Sequence, residues 1–239
     1  MIVMKFGGTS VCNAGMINRV AEIVKSEINR RPVVVVSAFS GVTDTLIKLA
    51  SDALSGNTDL EEIRKRHFDV IKDLSLDESL VKNELEELEI LIKGISLLKE
   101  LTPRTLDAII SFGERMSSKI VAAYMLRIGL DAKALNACDI GFVTDSNFGN
   151  AEILEETETN IRKYFSSVGG YIPIVTGFIA KDSKGEITTL GRGGSDYTAS
   201  VIGAALDAEE VQIWTDADGI MTADPKIVNN PEVIRRLTY

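Results

Sequence analysis

Histidine, cysteine and tryptophan are almost missing from this chain, whose 239 residues include one histidine, two cysteines and one tryptophan. The lone His67 leaves the usual zinc sites short of ligands, and Cys12 and Cys138 lie too far apart for metal-ligand spacing. Two thiols without a pairing pattern suit a reducing compartment, not a disulfide framework. No apolar run reaches the roughly 18 residues of a membrane span, and Met1-Ile2-Val3-Met4-Lys5-Phe6 is charged too early for a secretory leader. The expectation is a soluble, cytoplasmic protein. Basic residues are the minority, 26 against 35 acidic, for a net charge of −9 that repels nucleic acid and anionic membranes. A small anion is not excluded, because screening over roughly 8–10 Å lets a few local cations decide the chemistry of a cleft.

What is present is a 45% hydrophobic chain able to bury a sizeable core. Repeats, low-complexity tracts and Ser/Gly linkers are absent, so residues 1–239 are expected to form one domain. Ile2 to Phe6 reads as a strand, followed by a glycine-containing loop and a helix with Met16, Val20, Ile23, Val24 and Ile28 on one face. Val33 to Val36 is a second strand. Its unbroken β-branched run predicts a parallel strand covered on both faces, in an α/β sandwich. From about 43 to 129 the helical period takes over, with Val81, Leu85, Leu88, Ile92 and Ile95 in three-four spacing. Thr102-Pro103 predicts an N-cap and first-turn proline opening a helix through Ile109 to Leu126. His67, among charged residues of this block, is expected to be a solvated helix position. Strands return at Ala132 to Leu135, Ile172 to Thr176 and Val211 to Trp214, with helices near Ile153 to Phe165 and Thr198 to Leu206. Lys184-Gly185, between Phe178-Ile179 and Ile187-Thr188, predicts a hairpin.

Three segments carry chemistry. In Lys5-Phe6-Gly7-Gly8-Thr9-Ser10 a lysine leaves the sheet before two glycines, so backbone N–H groups and an ammonium converge where a phosphate would fit. A tight turn explains the glycines equally well, and the lysine precedes them, unlike a Walker loop. In Thr188-Thr189-Leu190-Gly191-Arg192-Gly193-Gly194-Ser195-Asp196 a guanidinium suited to a carboxylate stands before a helix N-terminus. There Asp196 either needs a cation or complements the helix dipole. Trp214 to Lys226 is a loop after a buried strand, rich in hydroxyl and carboxylate groups, at the end of the sheet where open α/β folds place ligands. Asp-Gly and Asp-Pro turns would also account for it, and it lacks the closing glutamate of an EF-hand.

Taken together, Lys-Phe-Gly-Gly-Thr-Ser at 5–10, Ser-Phe-Gly-Glu-Arg at 111–115, Leu-Gly-Arg-Gly-Gly-Ser-Asp at 190–196 and Trp-Thr-Asp-Ala-Asp-Gly at 214–219 resemble the aspartate kinase signatures of the amino acid kinase family. Order and separations agree, Val36-Ser37-Ala38 and Gly41-Val42-Thr43 match as well, and the resemblance covers essentially the whole chain. It implies a three-layer αβα sandwich with a mainly parallel sheet and an inserted helical block. It also implies ATP with Mg²⁺, L-aspartate as acceptor, and 4-phospho-L-aspartate as product. By position, Lys5 would neutralise the transferring phosphoryl group, Gly7 and Gly8, with Thr9 and Ser10, would cradle it, and Asp196 would hold the lysine. Ser37, Thr43, Glu114, Arg192 and Ser195 would form the aspartate pocket, Glu114 on the ammonium and Arg192 on the α-carboxylate. Thr215, Asp216, Met221 and Lys226 would serve the nucleotide, Met221 standing where relatives often carry tyrosine. No protein metal site is implied, and no general base is needed, since a free aspartate side chain ionises near 3.9.

The resemblance also implies a continuation past Arg235-Arg236-Leu237-Thr238-Tyr239: a second phosphate-contacting lysine, a closing helix and strand, and regulatory ACT domains. Without these the chain is expected to be a weak kinase that self-associates through an open sheet edge, as a homo-oligomer or with a separate C-terminal or regulatory chain. Glutamate, acetylglutamate, carbamate or nucleotide kinases of the family, and a non-catalytic nucleotide-binding subunit, are the alternatives.

Overall fold

The computed structural model describes every residue except 168, 217, 218, 224–226, 238 and 239. The two β-branched runs become adjacent parallel strands, β1 (Ile2–Phe6) and β2 (Pro32–Val36), with every residue buried. Between them α1 (Ala14–Ser26) begins at Asn13, whose side chain accepts the Met16 N–H and so satisfies a free amide of the first turn. Its buried stripe is Ile17, Val20, Ala21 and Val24; Ile28 falls in a short 3-10 turn beyond the helix and is exposed, contrary to expectation.

Five helices follow without an intervening strand: α2 (Val42–Ala53), α3 (Glu61–Asp73), α4 (Lys82–Leu98), α5 (Pro103–Ile110) and α6 (Phe112–Arg127). Thr102 caps α5 by accepting the Thr105 N–H, with Pro103 in the first turn, as the dipeptide predicts. A break at Ser111 splits the single helix expected there into α5 and α6. Val81, Leu85, Leu88, Ile92 and Ile95 are all buried. β3 (Ala132–Leu135), β4 (Val143–Thr144), α7 (Glu156–Ser166), β5 (Ile172–Thr176), β6 (Ile179–Asp182), β7 (Ile187–Thr189), α8 (Gly194–Ala205) and β8 (Glu210–Trp214) complete the order.

The main sheet runs β3-β5-β2-β1-β8 with every pair parallel. Successive strand residues face opposite sides. Ile2, Met4, Phe6, Val34 and Val36 join the core made with α1 and the helical block, while Val3, Val33, Val35 and Val175 join the core made with α7 and α8. Those two cores are the gaps of a three-layer αβα sandwich. A small sheet, β4-β6-β7, stands apart, and β6 and β7 form the expected hairpin around Lys184-Gly185. β8 is not the buried strand its composition suggests: it pairs only with β1 among the described residues, and Val211, Ile213 and Trp214 remain 37–44% exposed.

His67 is a second correction. It is fully buried, stacked on Phe39 at 5.0 Å between ring centroids, with Nδ1 2.8 Å from the Ile63 carbonyl oxygen and Nε2 unpartnered. Its charged neighbours occupy other faces of α3, so composition alone misplaced it. Burial pushes its pKa down to about 4. The neutral ring is therefore the folded form, so its contribution to stability is present above the ordinary value near 6.5 and is lost as pH falls toward 4, by at most about 3 kcal/mol. We expect His67→Phe to flatten the stability–pH curve in that window. Denaturant titrations at pH 4.5 and 7 check it, and an unchanged slope between the two proteins would assign the acid sensitivity elsewhere.

Candidate active site

All the central strands run the same way, so their carboxyl ends open onto one rim, where the loops after β1 and β2 and the loop before α8 meet. They enclose a cleft of about 380 Å³ lined by Lys5, Gly8, Ser37, Thr43, Glu114, Arg192, Ser195 and Asp196. Sequence positions from 5 to 196 are thus gathered in one place.

Lys5, the penultimate residue of β1, has its side chain almost fully covered, and its Nζ lies 2.6 Å from Asp196 Oδ1. Asp196, in the first turn of α8, therefore has both the helix dipole and a cation, so the two readings of this residue hold at once. Gly8 fits where no larger residue could: a Cβ there would stand 2.8 Å from the Ala38 carbonyl oxygen. Ser40 N–H donates to Gly8 O at 3.1 Å and Ser37 N–H to Phe6 O at 3.3 Å, joining the loops after β1 and β2.

Glu114, in the first turn of α6, points into the cleft floor. Oε1 accepts the Ala38 N–H at 3.0 Å, and Oε2 has no partner. Burial raises its pKa to about 8 against the hydrogen bond from Ala38. One oxygen of this buried carboxyl is satisfied by the protein, and the other faces the cleft without a protein partner. Ser37 Oγ donates to Ser195 Oγ at 3.1 Å, and Ser117 Oγ donates to the Ser37 carbonyl at 2.7 Å, fixing the hydroxyl edge of the cleft. Arg192 is exposed at the mouth with no ion pair among the described residues.

Thr9, Ser10, Thr215 and Asp216 gather elsewhere, in a second cleft of about 380 Å³ that also includes Phe6, Arg19 and Trp214. Gly7 lies between the two, its N–H donating to the Trp214 carbonyl at 3.2 Å. Met221 lines neither cleft and forms an isolated bridge with Val233. Lys226 lies outside the described residues. Phe39, Asp44 and Phe178 line the first cleft without having been singled out. Phe178 adopts φ +68, an unusual left-handed conformation for a bulky residue that no sequence pattern announces.

An α/β sandwich with a glycine loop, a paired lysine and a carboxylate-plus-guanidinium cleft at the strand ends is an arrangement suited to small charged ligands. The chain belongs to the amino acid kinase family, whose model matches residues 1–239. It is 42% identical to Aspartokinase 1, chloroplastic, of Arabidopsis thaliana over 99% of this chain and 44% of that protein. With Lysine-sensitive aspartokinase 3 of Escherichia coli the identity is 35%, over 100% of this chain and 54% of the relative. The crystal structure of Escherichia coli aspartokinase III in complex with aspartate and ADP superposes with a TM-score of 0.85 at 33% identity, covering 98% of this chain and 53% of that one. The chain thus spans about half the length of these relatives. Among the described residues no helix is long and apolar enough to cross a membrane.

Proposed function

We propose that this chain carries the catalytic unit of an aspartate kinase, transferring the γ-phosphoryl group of ATP to the side-chain carboxylate of L-aspartate. The observation that carries the reading is the single cleft that holds the Lys5–Asp196 pair, the half-satisfied carboxylate of Glu114 and the guanidinium of Arg192. An amino acid presents an ammonium to Glu114 and an α-carboxylate to Arg192, which leaves its side-chain carboxylate facing Lys5 and the glycine loop. Both reactants are anions, so the protein's work is alignment and neutralisation rather than proton transfer. Thr9, Ser10, Thr215 and Asp216, with Met221 and Lys226 in the same reading, serve the nucleotide. The aspartate and ADP named for the Escherichia coli structure support this assignment.

Mg²⁺ belongs to the same reading. A hard cation of this kind takes oxygen donors, and both clefts offer carboxylates. Asp196, beside Lys5 in the first cleft, or Asp216, beside Thr9 and Ser10 in the second, would hold it. When bound it supplies countercharge to the phosphates. The free thiols of Cys12 and Cys138 support a cytoplasmic setting, and a homo-oligomer or a separate C-terminal or regulatory chain belongs to the same reading.

A coupled assay with ATP, Mg²⁺ and a panel of acceptors tests the reading, and the expected result is ADP release that depends on aspartate. Turnover on glutamate but not aspartate would place the chain with another member of the family, and nucleotide binding without turnover on any acceptor would make it a binding subunit.

A further inference from the structure

Asp107 lies on α5, outside both clefts, and is 1% exposed. Its two oxygens take three hydrogen bonds, all at 2.9 Å: Oδ2 from the backbone N–H groups of Gly149 and Thr189, Oδ1 from the Thr189 hydroxyl. A buried carboxylate is costly to keep unless its neighbours satisfy it, and here they do so from two separate segments. Thr189 is the last residue of β7, and the arginine loop begins immediately after it. That loop is Leu190-Gly191-Arg192-Gly193-Gly194, in which three glycines give the backbone little stiffness of its own.

The surrounding contacts converge on the same point. The Thr189 carbonyl accepts the Ala151 N–H at 2.9 Å, and Leu190 N–H donates to the Phe178 carbonyl at 2.9 Å. Gly191, at φ +70, packs so closely on Asn150 that a Cβ would stand 2.4 Å from its Oδ1. Beyond Gly191 the chain closes on itself through Gly194 N–H to Gly191 O at 3.1 Å and enters α8. The loop is thus held between Thr189 and the start of α8, and Asp107, with the Arg104–Glu186 ion pair at 3.0 Å farther along, joins the Thr189 end to the helical block.

We propose that Asp107 is a positioning residue for the acceptor cleft: by clamping Thr189 and Gly149 onto α5 it sets where Arg192 stands. The part of this that concerns substrate rests on the reading of Arg192 as the partner of the acceptor's α-carboxylate. Burial raises the Asp107 carboxyl above its ordinary range against all three hydrogen bonds, so the site keeps a carboxylate where desolvation alone disfavours one.

Asp107→Leu occupies a similar volume and removes all three acceptor contacts at once, whereas an asparagine could keep its oxygen on the two backbone N–H groups and donate its amide to the Thr189 hydroxyl. In Asp107→Leu we expect hydrogen exchange at the Leu190 and Gly194 amides to accelerate about tenfold or more, with the β1 and β2 amides unchanged. The Michaelis constant for aspartate should rise by a similar factor, with turnover and the constant for ATP within about twofold. Thr189→Val, which loses only the hydroxyl contact, should show a smaller effect in the same direction, and Thr189→Ser should restore parental behaviour. Uniform acceleration across all amides would make Asp107 a stability residue only and overturn the proposal. Unchanged loop exchange, or faster loop exchange with an unchanged Michaelis constant, would overturn it as well. A parent protein that does not turn over aspartate would instead sink the functional reading, while the exchange pattern would still decide the clamp.

Discussion

Replacing Lys5 with alanine is expected to lower turnover by about a hundred- to a thousandfold, the usual cost of removing one preorganised electrostatic contact of about 3–4 kcal/mol. The structure makes this a clean experiment. Lys5 lies near the end of a central strand, but the partner it leaves behind, Asp196, is about half exposed and can be resolvated, so the fold should survive the change. Glu114, Arg192 and Thr43 remain in place to hold the acceptor, which keeps the expected shift in the Michaelis constant for aspartate within a few-fold. Steady-state kinetics on both substrates decides the matter. A turnover number within about twofold of the parent would remove Lys5 from the reacting centre, on a scale where tenfold is about 1.4 kcal/mol.

Glu114→Gln should act on the other axis, raising the Michaelis constant for aspartate roughly 30- to 150-fold and leaving that for ATP nearly unchanged. That range corresponds to about 2–3 kcal/mol for a hydrogen bond to a charged partner. The amide oxygen still accepts the Ala38 N–H, so the loop is preserved and only the charge is lost. The pH dependence follows from burial, which lifts this carboxyl to about 8. Below that value the empty site is largely protonated, and an incoming ammonium must expel the proton. Aspartate affinity in the parent should therefore climb with pH up to about 8, by no more than about tenfold per unit, and the variant should lack the climb. Stability runs the opposite way. A carboxyl raised in the folded state stabilises at low pH, and that contribution is lost as pH rises from about 4.5 through about 8, so the glutamine variant should gain on the parent across this window. Calorimetric titration with aspartate and denaturant unfolding, each at several pH values, provide the two checks; a fall in ATP affinity without a fall in aspartate affinity would reverse the assignment.

Much of this architecture was readable before any coordinates because burial leaves a period in the sequence. The unbroken valines of β2 announce a strand covered on both faces, Thr102-Pro103 announces a helix start, and the three-four spacing from Val81 to Ile95 announces a buried seam. What escaped has physical reasons. β4 is two residues long, too short for any alternation, so the small sheet was invisible beyond its hairpin. β8 has the composition of an interior strand, and only its place at the end of the sheet leaves it exposed. His67 was hidden by charged neighbours that turn to other faces of α3. In the site, the residues carried by glycine-rich motifs were legible, whereas Phe39 and Phe178 reach the cleft through tertiary packing alone. Asp107 had no motif at all: the role proposed for it rests on which two amides it meets across the fold.

The hydrogen bond from Ser40 N–H to Gly8 O, with Ser37 N–H to Phe6 O behind it, ties the loop after β2, which the proposed function assigns to the acceptor, to the loop after β1, which it assigns to the phosphates. Ordering one loop therefore prepays part of the conformational entropy of ordering the other. Occupancy at either place should sharpen occupancy at its neighbour, and the exchange is symmetrical: whatever factor a nucleotide lends to acceptor affinity, the acceptor returns to nucleotide affinity. A residue with a side chain at position 8 would push the loops apart and, even in a protein that still folds, leave two ligands that no longer sense each other.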